Sequence, residues 1–331
     1  MKDILTAELN KRREDGILQS EIESLFGFSR AHVSETLSDM EASEKIISRR
    51  EGKLIRKIWS AEFFPFPIQD KIRIGLLRSS EYIHYTAAAL NVCESHKLEP
   101  ILRFFNSSSD VLDSLIAGSI EIALAPLYTQ IMYSVVTRKT KIATSIASGG
   151  SSIFRNGNTE SQKLGTSDTS TMILLSMAFR GKLDENLEIY TDPDVALDNI
   201  RRGVYGYITI WEPYCTILRN QKRFEEIATY ENVLGDMPCC VSSIRNSTDE
   251  SIKKIISEID KLYDSGGEAM SEYVQKAIKL FSLKLVLSGE TLVESMKSYH
   301  KCKRIDRNQI VSYMDLLRIP VSPMMIDYML I

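Results

Sequence analysis

The chain has 331 residues, with 41 Lys and Arg against 44 Asp and Glu for a net charge of −3, and 44% apolar residues. That is the composition of a packed globular protein of two or three domains, and it excludes disordered and collagen-like classes. No run approaches the roughly 18 consecutive apolar residues of a membrane-spanning helix. Acids interrupt the opening Met1-Lys2-Asp3-Ile4-Leu5-Thr6-Ala7-Glu8, so a cytoplasmic protein with no export leader and no membrane partner is expected.

The first sixty residues read as three short helices and a hairpin. Asp3 to Glu14 is a helical stretch stopped by Gly16. Ser20-Glu21-Ile22-Glu23 has the spacing of a capping box, and its helix buries Ile22, Leu25 and Phe26 before Gly27. Ser29 is the next N-cap, placing Val33, Leu37 and Met40 on one helical face. Strand-like runs 46–50 and 53–57 then flank Glu51-Gly52 as a two-residue hairpin loop. Between Lys45 and Lys57, six basic residues stand against the single acid Glu51. Two helices around a Gly-containing turn followed by a basic ribbon suit a duplex, one helix in the major groove and the ribbon on phosphates.

On these residues the segment resembles the winged helix-turn-helix domain of prokaryotic transcription regulators, including the MarR-like group. The resemblance implies double-stranded DNA as partner. Arg30, His32 and Ser34 would begin the reading helix, and Arg49, Arg50, Lys53 and Arg56 would form the wing. Acids on the same helix, Glu35, Asp39, Glu41 and Glu44, would repel phosphates, and winged helices also dock proteins.

The connector Phe63-Phe64-Pro65-Phe66-Pro67 separates a domain 1–62 from a domain 68–331. Beyond it, strand-like runs at 71–77 and 101–105 alternate with a helical stretch at 81–96, predicting an α/β class with parallel strands. A near-repeat carries the most information. Residues 110–118 and 194–203 each form a short helix closed by Gly, and each leads into an apolar strand (120–124 or 205–210) that stops at Pro126 or Pro213. Two copies of one unit predict two similar lobes, with ligand-facing loops at the carboxyl ends of the strands.

Leu112 to Pro126, the loop 163–171 and Ile210-Trp211-Glu212-Pro213-Tyr214 together resemble the type II periplasmic binding proteins that serve nitrate, sulfonate and thiamine-precursor transport. The resemblance implies a first lobe of about 71–147 and 241–331, a second of about 163–238, and chain crossings near Ser148-Gly149-Gly150 and Cys239-Cys240-Val241. Four helical stretches after Thr248 would pack on the first lobe or form a dimer surface.

Hydroxyls in Thr166, Ser167 and Thr169 before an apolar helix favour an anionic group, while Asp168 favours an amine or ring N–H. Together they predict a zwitterionic or heterocyclic effector. Trp211 would stack a planar ring beside Glu212. Arg78, Ser79, Asn106, Ser107, Tyr128 and Ser148 follow first-lobe strands and complete the candidate ligand residues.

The five cysteines are expected as free thiols, with Cys239 and Cys240 on opposite faces of a strand. No metal-ligand spacing, phosphate loop or dinucleotide fingerprint occurs, so neither metal nor cofactor is expected. The leading function is a homodimeric, ligand-responsive DNA-binding regulator that is not an enzyme. LysR-type regulators join the same two kinds of module. The alternatives are an enzyme of menaquinone or thiamine-pyrimidine synthesis on the same clamp, and a ligand-gated adaptor that docks protein.

Overall fold

In the computed structural model the described residues are all but 53–54, 182–184, 236, 267–269, 303–304, 317–318, 321 and 331; the side chains of Glu51 and Leu316 also fall outside the description. The chain divides into two units, Met1–Gln69 with Ile116–Ile120, and Asp70–Leu115 with Glu121–Ile331.

Unit 1 contains α1 (Lys2–Arg12), β1 (Ile17–Leu18), α2 (Gln19–Phe26), α3 (Arg30–Ala42), β2 (Ile46–Glu51) and β3 (Ile55–Ser60). The strands form one antiparallel sheet in the order β1-β3-β2. Val33, Leu37 and Met40 face inward at the predicted spacing and pack with Leu5, Leu9, Ile17, Ile22, Ile46 and Ile58. Ser29 caps α3 by accepting from the His32 amide. Two details differ from the sequence reading. First, α2 begins before Ser20, so Glu21 and not Glu23 reaches back, accepting from the Leu18 amide at 2.8 Å. Second, Arg50 pairs with Arg56 and Glu51 with Ile55, which places Glu51 in the strand and not in the hairpin loop.

Unit 2 opens with β4 (Lys71–Leu77), α4 (Ile83–Ser95), β5 (Glu99–Phe105), α5 (Ser108–Ala117), β6 (Ile122–Pro126), α6 (Leu127–Thr137) and β7 (Thr140–Gly149). The chain crosses to β8 (Ser151–Asn156), then runs through β9 (Leu164–Ser167), α7 (Thr171–Arg180), β10 (Leu187–Tyr190), α8 (Pro193–Arg201), β11 (Tyr207–Trp211), α9 (Tyr214–Arg219), β12 (Phe224–Thr229) and α10 (Tyr230–Leu234). It returns at β13 (Cys240–Arg245) and ends with α11 (Glu250–Ser265), α12 (Ser271–Leu285), α13 (Gly289–Met296), β14 (Tyr299–His300), α14 (Arg307–Leu316) and α15 (Pro323–Met329).

Two mixed sheets result, β14-β7-β13-β6-β4-β5 and β10-β9-β11-β8-β12. The repeated helix–Gly–strand unit falls once in each, as α5–β6 and α8–β11. The second sheet starts at Ser151, upstream of residue 163, because β8 runs antiparallel between β11 and β12. The C-terminal helices return to the first lobe. α11 and α12 cover α4, while Ile310, Tyr313, Ile326 and Met329 of α14 and α15 pack on Leu127, Ile131 and Ile142. Among the described residues no helix is long and apolar enough to cross a membrane.

One buried ion pair locks β4 to the start of β6. Arg73 is 1% and Glu121 2% exposed, and Glu121 accepts from the Arg73 amide at 2.7 Å and from its guanidinium at 2.5 and 3.1 Å. Removing one partner leaves the other charge buried. Glu121→Ala should therefore lose about 3–5 kcal/mol in denaturant unfolding, whereas Arg73→Met with Glu121→Leu should lose far less.

Candidate functional site

The carboxyl ends of β4, β6, β9 and β11 converge between the two lobes. A small cavity there, about 20 Å³, is lined by Ser79, Glu81, Ser170, Thr171, Trp211 and Cys240 among others. That volume holds about one water molecule, so the lobes are closed on each other. Direct contacts keep them so. Arg78 from the first lobe pairs with Asp194 at 2.7 Å and stands 3.9 Å from Asp192. Asn106 Nδ2 donates to Asp192 at 3.1 Å, the Trp211 indole donates to the Arg78 carbonyl at 3.1 Å, and Ser79 Oγ donates to the Glu212 carbonyl at 3.1 Å. Ser108 and Thr129 hydroxyls both donate to the Thr169 carbonyl.

The cavity gathers some of the sequence candidates and releases others. Ser79, Ser167 and Trp211 line it. Arg78, Asn106 and Thr169 act as lobe-to-lobe latches instead. Ser107 caps the following helix, accepting from the Asp110 amide. Thr166 is a correction: it is fully buried and accepts from Thr209 Oγ1 at 2.8 Å, inside the second lobe. Glu212 is another. It is 0% exposed, its carboxylate paired with Arg219 and accepting from the Thr216 amide at 2.9 Å and Ser298 Oγ at 2.9 Å, which leaves it no reach toward a ligand. Asp168 is exposed and accepts from the Thr169 amide, so it does not supply the cavity's negative charge. Tyr128 packs against the apolar cluster under α14, and Ser148 pairs with His300.

The cavity's carboxylate is Glu81, in the 3-10 turn before α4. Burial pushes its carboxyl up to about 7, and its Oε2 is buried without a well-aligned hydrogen bond among the described residues. Cys239 and Cys240 both line the same space, against the expectation of opposite faces. Cys239 lies at the bend that enters β13, and the pairing with β7 slips between Cys240 and Val241, which breaks strand alternation at this point. A larger cavity, about 470 Å³, is also lined by Glu81, together with His84, Tyr263, Met270 and Lys301.

Two latches make a testable claim about closure. Arg78→Ala with Asn106→Ala removes the contacts to Asp192 and Asp194 and should shift the closed-to-open ratio about fivefold, the worth of roughly 1 kcal/mol for partly exposed pairs. Labels at Glu99→Cys in the first lobe and Glu188→Cys in the second would read this as a longer inter-lobe distance. Four of the five native cysteines are buried and do not compete for label.

In unit 1 the DNA candidates take different positions. Arg30 is 87% exposed with Glu23 at 4.0 Å, and His32 and Ser34 are exposed on the first turns of α3. Arg50 is exposed, and the Arg49 guanidinium stacks 4.3 Å over Phe66. Lys53 lies outside the described residues. Arg56 is the correction here, because it turns back to the helix, bonding Glu41 at 2.6 Å and Ser48 Oγ at 2.9 Å. Two of the acids that opposed phosphate contact are thereby paired, Glu41 with Arg56 and Asp39 with Lys2 at 3.3 Å.

Two mixed α/β lobes, joined by crossing strands with a cavity at their strand ends, are the fold of the type II periplasmic binding proteins. Solved structures bear this out. The chain is similar to the ligand-binding component of an ABC-type import system from Staphylococcus aureus, solved with zinc bound (TM-score 0.64, 16% identity, covering 79% of this chain and 99% of that one). It is also similar to the periplasmic aliphatic sulphonate binding protein of Escherichia coli (TM-score 0.58, 13% identity, 80% and 92%). A third is the periplasmic nitrate-binding protein of Synechocystis (TM-score 0.58, 12% identity, 78% and 85%). No family model matches the chain, and no curated protein matches it.

Proposed function

We propose that the chain is a ligand-responsive transcription regulator, in which residues 1–62 form a winged helix-turn-helix that grips double-stranded DNA and the two lobes sense a small effector. The observation that carries the reading is the make-up of unit 1: helix, strand, two helices and a hairpin, with sheet order β1-β3-β2 and Arg49 and Arg50 on the hairpin. Exposed Arg30 and Ser34 would meet base edges from α3, and the hairpin would meet phosphates. The reading assigns the protein to the cytoplasm and gives the cleft binding and no reaction. A homodimer would set two reading helices about one DNA turn apart.

In the sensor, an anionic group of the effector faces the amides at the start of α7 and a planar group meets Trp211. Because the closed cavity holds about one water molecule, the effector enters between parted lobes and shifts the balance toward an arrangement more open than this one. The test is a gel shift of the full chain on fragmented genomic DNA at graded salt. A subset of fragments should be retained against competitor, with affinity falling as salt rises. Equal, salt-independent binding to every fragment, or none, overturns the reading.

A further inference from the structure

We propose that Glu81, Cys239 and Cys240 form a binding site for a thiophilic divalent metal ion at the wall of the inter-lobe cavity. This deepens the reading of that cavity as a ligand site and rests on it. One ligand atom from each residue lies within 4.8 Å of the other two. The two Sγ atoms are 3.9 Å apart and the Cys240 thiol donates to Glu81 Oε1 at 3.0 Å. Two thiolates on one tetrahedral zinc, each about 2.3 Å from it, stand about 3.8 Å from each other, so the sulfurs already hold the required separation.

The second observation is the other carboxylate oxygen. Glu81 is 7% exposed and its buried Oε2 has no well-aligned hydrogen bond among the described residues, only the Ser79 and Tyr82 hydroxyls nearby, an arrangement that a cation would relieve. On binding, both thiols release their protons to solvent as the metal–sulfur bonds form. Two thiolates, one carboxylate and a divalent ion leave one negative charge, which the N-termini of α4 and α7 offset from two sides. Three protein ligands leave the fourth tetrahedral position to water or to an anionic group of the effector. The ligands also span the chain's crossing. Glu81 follows β4 in the first lobe, the cysteines sit on the returning segment, and Thr171 at the start of α7 donates to the Cys239 carbonyl at 3.2 Å.

The test is equilibrium dialysis of the reduced full chain against Zn2+, with metal counted per chain. About one tightly held ion is expected for the parent and for a Cys93→Ser, Cys302→Ser control. Cys239→Ser with Cys240→Ser should abolish it, and Glu81→Gln should weaken it by more than the roughly 10- to 100-fold that loss of an outer partner costs. Co2+ in place of Zn2+ gives the parent thiolate-to-metal charge-transfer absorbance, a readout independent of how the variants fold. A folded parent that retains no zinc and shows no such band, or variants that hold zinc as the control does, overturns the proposal. Mass spectrometry of small molecules released from the same preparation separates the two readings: an organic effector without zinc sinks the metal site alone.

Discussion

Under the proposed DNA-binding reading, replacing Arg49 and Arg50 together by alanine is expected to weaken binding of DNA to the full chain about equally on every sequence. If each residue neutralises one phosphate, two fewer contacts reduce the slope of log affinity against log salt by about 1.8, a loss of roughly 60-fold at 0.1 M salt when referred to 1 M. Both side chains sit on β2 and are exposed on the hairpin, and Arg49 is held over the Phe66 ring, which lowers the freedom it loses on docking. Arg56→Ala is the discriminating control. Its guanidinium is spent on Glu41 and Ser48, so it should lower the melting temperature while leaving the salt slope unchanged. Arg30→Ala should relax sequence preference with little change of slope. An unchanged slope in the Arg49, Arg50 variant removes the hairpin from the DNA-binding reading.

The contrast between Arg49 and Arg56 shows what a sequence carries and what it does not. Charge density along 45–57 is a local property and is legible, whereas the partner of Arg56 lies 15 residues upstream on α3 and becomes visible only when helix and hairpin pack. The same division runs through the lobes. Apolar runs punctuated by Gly and Pro located β4 to the residue and found the repeated α5–β6 and α8–β11 units, because burial on both faces of a strand writes itself into consecutive residues. The positions of the two crossings came instead from the resemblance to the binding proteins and not from burial patterning. The cavity's chemistry was not legible. Strand ends pointed to Arg78 and Ser79, but the carboxylate that reaches the cavity is Glu81, one turn further on. Glu212 was misread because its neutralising partner, Arg219, stands at the far end of α9. Cys239 and Cys240 share one cavity only because the strand alternation fails at a bulge, and a bulge depends on the partner strand's register.

A second large effect, on structure and on lobe geometry together, is expected at the first crossing. Gly149 ends β7 and Gly150 precedes β8, with φ of +82° and +67°, a region that costs a side chain about 1–2 kcal/mol. Space is lacking as well: a Cβ on Gly150 would stand 2.0 Å from the Tyr299 ring, and one on Gly149 2.8 Å from the Ser298 carbonyl. Tyr299 pairs with Gly149 through β14, its hydroxyl lies 3.0 Å from Ser79 Oγ, and Ser298 Oγ donates to Glu212 at 2.9 Å, so this short segment ties the crossing to both lobes. Gly150→Ala must therefore strain the backbone and push Tyr299 out together, and overpacking adds about 1–3 kcal/mol to the backbone cost. The expected result is a loss of roughly 2–5 kcal/mol in unfolding free energy and a longer inter-lobe distance between labels at Glu99→Cys and Glu188→Cys. A double-mutant cycle with Tyr299→Ala divides the two causes. The steric part should disappear in the double variant while the backbone part persists, giving a coupling of about 1–3 kcal/mol. Strict additivity would mean that Tyr299 does not hold the crossing, and the hinge would then be set by the backbone of the two glycines alone.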